Sequence, residues 1–236
     1  MERGTVTRVA ERVRSSDAAV LSAAEIAAAN VTLETKSALE IFEWAFERYG
    51  TDLVVASSFQ DAVLIDLAVR VEPKAPVIFL DTKFHFPETL AYMRRLRDLY
   101  DLNLVILEPS IADDVSPCGA PDCCEARKVE PLNAYLATKP AWATGLKRVD
   151  TPERANAPIV SLDVARGVLK VNPVAAWSDD DIDTYIAEHD LPTHPLWSAG
   201  YYSIGCAPTT RPIADGEDPR AGRWPGSDKT ECGLHI

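Results

Sequence analysis

The sequence predicts an α/β fold: a parallel sheet with helices on both faces, followed by a mobile C-terminal tail. Three observations predict it. Short, continuously apolar runs alternate with helical segments, the pattern of strands buried on both faces of a sheet. Three of the runs end in polar residues, at Ser57-Ser58, Asp81-Thr82 and Gly145-Leu146-Lys147-Arg148, where open α/β sheets bind ligands. Residues 211–236 carry four Gly and three Pro with few bulky apolar groups, which suits a tail more than a core.

Each element has its own warrant. Residues 1–50 read as helical: 17–29 are Ala-rich, 39–46 have helical apolar spacing, and Gly50 is a stop. Residues 52–57 form a first strand and 61–71 a helix. Residues 76–81 form a second strand, and 87–100 a helix with Pro87 near its first position. Residues 103–107 are a third strand, 123–138 a helix and 141–145 a fourth strand. Residues 159–161 and 168–171 form a short strand pair. Ser178 then caps a helix over 179–189 with acids in its first turn. The division expected is a domain at 1–210 and a tail at 211–236.

The 236 residues are 47% hydrophobic, enough for a substantial core. A net charge of −12 argues against non-specific nucleic-acid or anionic-membrane binding. An anionic small substrate would need a local Arg and Lys cluster. The N-terminus lacks an apolar signal region, and no run approaches the ~18 apolar residues of a membrane span. The expectation is a cytoplasmic protein with reduced thiols. Five cysteines then favour metal binding or catalysis over disulfides, and a homo-oligomer stays open.

Five segments carry chemistry. Ser57-Ser58 between a strand and a helix could hold a phosphate or sulfate, though Ser is also an ordinary N-cap and the glycines of a P-loop or dinucleotide fingerprint are absent. Cys123-Cys124 could ligate one metal or cluster, with Lys128 near the sulfurs; a buried pair beside a solvated basic turn is the alternative. Cys206, between Gly205 and Ala207-Pro208, is a third candidate thiolate, one short of the usual four. Arg220 and Arg223 could close over an anion, as could Lys147, Arg148 and Arg154 after the fourth strand; solvated charges are the alternative in both places. Cys232, near His235, is a candidate nucleophile in a tail that could carry it between two sites; an incidental tail cysteine is the alternative.

Together these segments resemble the assimilatory sulfonucleotide reductases, and among them the bacterial thioredoxin-dependent adenylyl-sulfate (APS) reductases. The resemblance runs from about residue 36 to the end. Its specific motifs are Cys123-Cys124-Glu125-Ala126-Arg127-Lys128-Val129 and Lys229-Thr230-Glu231-Cys232-Gly233-Leu234-His235. Supporting ones are Phe79-Leu80-Asp81-Thr82, Phe86-Pro87-Glu88-Thr89, 142–148, Asn172-Pro173 with Trp177-Ser178-Asp179, and Ser203-Ile204-Gly205-Cys206.

The resemblance implies an adenine-nucleotide α-hydrolase-like domain that binds the nucleotide, and a tail carrying the catalytic cysteine. Cys232 would attack the sulfate sulfur of adenylyl sulfate, and thioredoxin would resolve the S-sulfocysteine. Ser57, Ser58, Lys128, Arg148, Arg154, Arg220, Arg223 and His235 would bind the substrate. Cys123, Cys124 and Cys206 would hold a [4Fe-4S] cluster.

One departure stands out. The second family motif is Cys-x-x-Cys, and here it reads Cys206-Ala207-Pro208-Thr209. Four explanations stay open: three cysteines alone, an oxygen of Thr209 or water, Cys118 if its loop can reach, or an absent cluster. The expectation taken is a three-cysteine site of reduced stability, with Cys118 unassigned. Competing functions are a 3′-phospho-APS (PAPS) reductase, an ATP-pyrophosphatase-type transferase, and a non-enzymatic zinc module. The transferase would need a Gly-rich loop that 57–61 does not supply.

Overall fold

A computed structural model describes residues 21–227 and 229–234. Part of the Ala-rich segment at 17–29 therefore lies outside the described residues. Helix α1 runs Ala23–Leu33 and α2 runs Ala38–Tyr49. Each begins in a capping box. The Ser22 and Ser37 side chains accept the Glu25 and Glu40 backbone N–H groups, and the two glutamates reach back to the serine N–H groups. Two otherwise orphan donors are satisfied at each end. Ile41, Phe42, Ala45, Phe46 and Tyr49 make one buried stripe on α2, which packs against α3 (Val63–Val71).

The sheet has six strands: β1 Leu53–Ala56, β2 Pro76–Leu80, β3 Asn103–Leu107, β4 Ala141–Thr144, β5 Val160–Asp163 and β6 Val168–Val171. Their order is β3-β2-β1-β4-β6-β5. All neighbouring pairs are parallel except β5 with β6. That exception follows from its connection: residues 164–167 are too few for a crossover, so the chain turns back as a hairpin, with Gly167 at φ 69°. Helix α4 is Pro87–Tyr100, as the sequence predicts, and α5 and α6 are Glu130–Leu136 and Asp179–Glu188.

Strand pleating divides the core. Leu53 and Val55 face the cluster of Phe42, Phe46, Ile65 and Phe79. Val54, Ile78 and Trp142 point to the opposite face, onto Leu132 and Leu136 of α5. Both faces are therefore covered. Truncating Trp142, which is 1% exposed, would cost about 3–5 kcal/mol.

The local structure differs from the sequence reading in two places. Helix α3 starts at Val63, so Ser57 and Ser58 lie in a loop that precedes it by several residues. The helix expected at 123–138 opens with a π-helical turn, Glu125–Val129, where the Glu130 N–H returns to the Glu125 carbonyl. Such turns add a residue per loop and re-aim side chains.

Within the described residues of the tail there is no helix or regular strand. The segment folds back on the domain: Arg211 N–H donates to Gly222 O at 2.9 Å, and Trp224 N–H to Thr209 O at 2.9 Å. A Cβ at Gly222 would sit 2.2 Å from the Arg211 carbonyl oxygen, so only glycine permits this crossing. Among the described residues, no helix is long and apolar enough to cross a membrane.

Candidate active site

Strand order reverses between β1 and β4, and parallel sheets open a crevice at such a point. A cavity of about 700 Å³ occupies it, walled by Ser57, Ser58 and Thr144 from the strand ends and by Arg220, Arg223 and Cys232 from the tail. The 57–61 loop is held by its own polar groups. Ser57 Oγ accepts the Phe59 N–H at 3.0 Å, with Phe59 at φ 56°. Gln60 donates to Tyr202 O at 3.1 Å and accepts the Ile204 N–H at 3.0 Å, tying the loop to the 202–204 segment. Burial pushes the Asp61 carboxyl up from its ordinary pKa.

Cys232 is half-buried in the cavity wall, and the residues around it are fastened. Arg154 forks onto the Glu231 carboxylate, with Nε and Nη2 each at 2.6 Å, and both side chains are 10% exposed. Its Nη1 donates to Asp150 at 2.8 Å. Arg220 donates to Thr230 O at 3.2 Å, Arg166 to Leu234 O at 3.2 Å, and Lys229 to Cys124 Sγ at 3.2 Å.

Two cations stand between this cavity and a second one. Burial opposes the charge on Lys128, but the sulfurs of Cys206, Cys232 and Cys124 outweigh it, so its pKa is raised. Burial, with repulsion from Arg220, lowers that of Arg223. The Arg223 guanidinium donates to Ser203 Oγ at 3.3 Å and Ile204 O at 3.4 Å, and stacks on Trp224 at 4.5 Å. Its Nε is buried with no partner among the described residues. Such a donor suits an external acceptor. Gly205 makes room for it, since a Cβ there would lie 2.6 Å from the guanidinium.

The second cavity, about 400 Å³, is lined by Cys118, Cys123, Cys124, Cys206 and Thr209. None of the five cysteines is in a disulfide. Among the described residues, no three His, Cys, Asp or Glu side chains converge on one metal ion. A four-iron cluster asks for something else: each thiolate binds a different iron, so the sulfurs must surround a space rather than meet at a point. The soft, sulfur-lined cavity fits such a group. The proximity of Cys118 and Cys206 lowers the pKa of Cys206 and raises that of Cys118.

Residues 52–212 match the model of the phosphoadenosine phosphosulfate reductase domain. The chain belongs to this reductase family. The adenosine 5′-phosphosulfate reductase of Streptomyces coelicolor is 47% identical over 212 residues, covering 86% of this chain and 90% of that protein. The adenosine 5′-phosphosulfate reductase of Mycobacterium tuberculosis is 43% identical over 230 residues, with 86% and 91% covered. Among solved structures, phosphoadenylyl-sulfate reductase from Candida auris superposes with a TM-score of 0.72 at 26% identity, over 81% of this chain and 98% of that one. FMN adenylyltransferase from Candida glabrata, at 0.58 and 14% identity over 92% and 82%, shares the adenine-nucleotide α-hydrolase-like fold.

Within this reductase-family site, the structure brings Ser57, Ser58, Lys128, Arg154, Arg220 and Arg223 into one cavity with Cys232. Arg148 goes elsewhere. Its guanidinium pairs with both carboxylate oxygens of Glu34 and donates to Ala157 O at 2.8 Å, so it fastens α1 to the domain. His235 lies outside the described residues. Sequence reasoning missed Gln60 and Glu231. Glu231 adjoins Cys232 in the tail motif, which was its only signal; Gln60 had none, because its partners are about 140 positions away.

Proposed function

We propose that the chain reduces adenylyl sulfate to sulfite and AMP in sulfate assimilation, with Cys232 as nucleophile. The observation that carries this is the placing of Cys232 in the wall of a cavity at the sheet's switch point, among Lys128, Arg154, Arg220 and Arg223. Ser57 and Ser58 suit the nucleotide phosphate, and the cations offset the charge that would otherwise repel a thiolate. The Cys232 thiolate attacks the sulfate sulfur; the S–O bond to AMP breaks and the pair of electrons leaves with AMP. The enzyme now carries Cys232 S-sulfocysteine.

A thioredoxin thiolate then attacks Cys232 Sγ and expels sulfite. The second thioredoxin thiol resolves the mixed disulfide, so two electrons from the dithiol reduce sulfur from sulfate to sulfite. The segment that carries Cys232 moves between a docked position closed by Arg154–Glu231 and an open one facing thioredoxin. Cys123, Cys124 and Cys206 would hold an iron–sulfur cluster. When bound, that group adds an electrostatic centre beside Lys128.

Intact-mass analysis after incubation with adenylyl sulfate tests the reading. A sulfite adduct on Cys232, lost when thioredoxin is added, is expected; freshly reduced protein that forms none overturns the mechanism. The solved phosphoadenylyl-sulfate reductase supports a second reading, a substrate with a 3′-phosphate. The ratio of kcat/KM for the two nucleotides separates them.

A further inference from the structure

We infer that Cys118 supplies the fourth thiolate of the iron–sulfur site in this chain, in the place that residue 209 fails to fill. The inference rests on the cluster reading above and goes beyond it, because that reading leaves Cys118 unassigned.

Position is the first observation. Cys118 lines the same cavity as Cys123, Cys124 and Cys206, and its Sγ lies 3.6 Å from Thr209 Oγ1. The backbone is equally close: a Cβ on Gly119 would stand 3.7 Å from Thr209 Cγ2. The 118–119 loop therefore packs directly on the side chain that replaces a cysteine.

The second observation is how that loop is held. Arg127 is fully buried, and its guanidinium hydrogen bonds reach no side chain among the described residues. Its guanidinium instead donates to the carbonyls of Ala112 at 2.9 Å, Asp113 at 3.0 Å, Val115 at 2.5 Å and Ser116 at 3.0 Å. Phe84 covers its face at 4.7 Å. Ser116 at φ 49° and Gly119 at φ 97° turn the chain, and Ser116 Oγ donates to Asp122 at 2.5 Å. A buried cation thus fixes the path of 112–116 and delivers Cys118 to the cavity. Arg127 sits in the π-helical turn that follows Cys123-Cys124, so one short segment supplies two sulfurs and positions a third.

The third observation is chemical. A threonine hydroxyl is a hard, neutral donor, whereas cluster iron takes soft thiolates. On binding, Cys118 loses its proton to solvent and its sulfur bonds iron. Thr209 then serves as a hydrogen-bond donor to that sulfur, an orienting contact typical around metal ligands.

The test compares four anaerobically prepared full-length proteins: the natural chain, Cys118→Ala, Thr209→Ala, and Cys118→Ala with Thr209→Cys. Iron, acid-labile sulfide and the electron-paramagnetic-resonance spectrum are measured, with AMP binding as the check on folding. About four irons per chain are expected in the natural protein and in Thr209→Ala. Cys118→Ala is expected to lose at least half its iron or convert to a three-iron signal, and the double variant to regain four irons. Cys118→Ala with full iron and an unchanged spectrum overturns the inference and leaves the cluster reading standing. A natural chain without iron overturns both. Should Cys118→Ala fail to fold, the double variant decides: iron regained supports the inference, and iron still missing overturns it.

Discussion

The large cavity and the cysteine cavity share a wall made of Lys128, Arg223 and Trp224, yet they are built by different means. Topology builds the first. Ser57 and Thr144 stand at the ends of parallel strands whose register is fixed along their length, so its floor comes with the sheet. Hydrogen bonding builds the second. Thr82, just past the end of β2, is its one contact with a strand end among the described residues; loops 112–122 and 206–209 meet there, and Arg127 holds one of them through backbone carbonyls. Arg127 and Lys128 are consecutive, but one is sealed among carbonyls and the other faces sulfur. A site set by a sheet should tolerate loop changes. A site set by one side chain should not.

The largest expected effect concerns the group that joins the large cavity to the tail. Cys232→Ser should lower turnover by about 10³ or more while AMP affinity stays within about threefold, measured by steady-state kinetics and calorimetry. Turnover within tenfold of the natural protein would place the nucleophile elsewhere.

Arg127→Met tests the contrast most directly. It strips the donor from several buried carbonyls, each worth about 1–3 kcal/mol, and relaxation toward water should leave a loss near 3 kcal/mol in urea unfolding. Iron should fall severalfold and AMP affinity should hold within about threefold. If both fall together, the two cavities are one cooperative unit.

Acid should act where α4 meets the segment that carries His194. His194 is 1% exposed, contacts Thr89 Oγ1 at 3.1 Å and accepts the Leu196 N–H at 3.2 Å. Burial lowers its pKa from 6.5 to about 4. Below pH 6.5 the unfolded chain takes up a proton that the folded chain refuses, so stability present above 6.5 declines as pH falls toward 4. The decline due to this group should approach about 3 kcal/mol. His194→Gln should flatten the denaturation midpoint across that window; an unchanged slope would remove His194 as the cause.

The smallest effect should come from Arg148→Ala. Its guanidinium serves Glu34 and Ala157, so stability should fall by about 1 kcal/mol with AMP affinity unchanged within twofold. A tenfold loss of AMP affinity would return Arg148 to the cavity.

Much of this protein is legible in its sequence. Unbroken apolar runs specified buried strands, Pro87 and Ser178 marked helix starts, and the spacing of cysteines separated Cys232 from the others. These are local signals, set by a residue and its near neighbours. The direction of Arg148 was not legible, because a guanidinium after a strand can turn to either side and only Glu34, 114 positions away, decides which. Nor was the π-helical turn, since one extra residue in a helical loop leaves no pattern in the sequence.

By itself, the sequence determined the sheet, the tail cysteine and the missing cysteine at 209. Only the tertiary structure decided where Cys118 goes. Its path depends on hydrogen bonds from Arg127 to backbone carbonyls, and carbonyls are the same in every residue, so no choice of side chain along 112–116 could announce them.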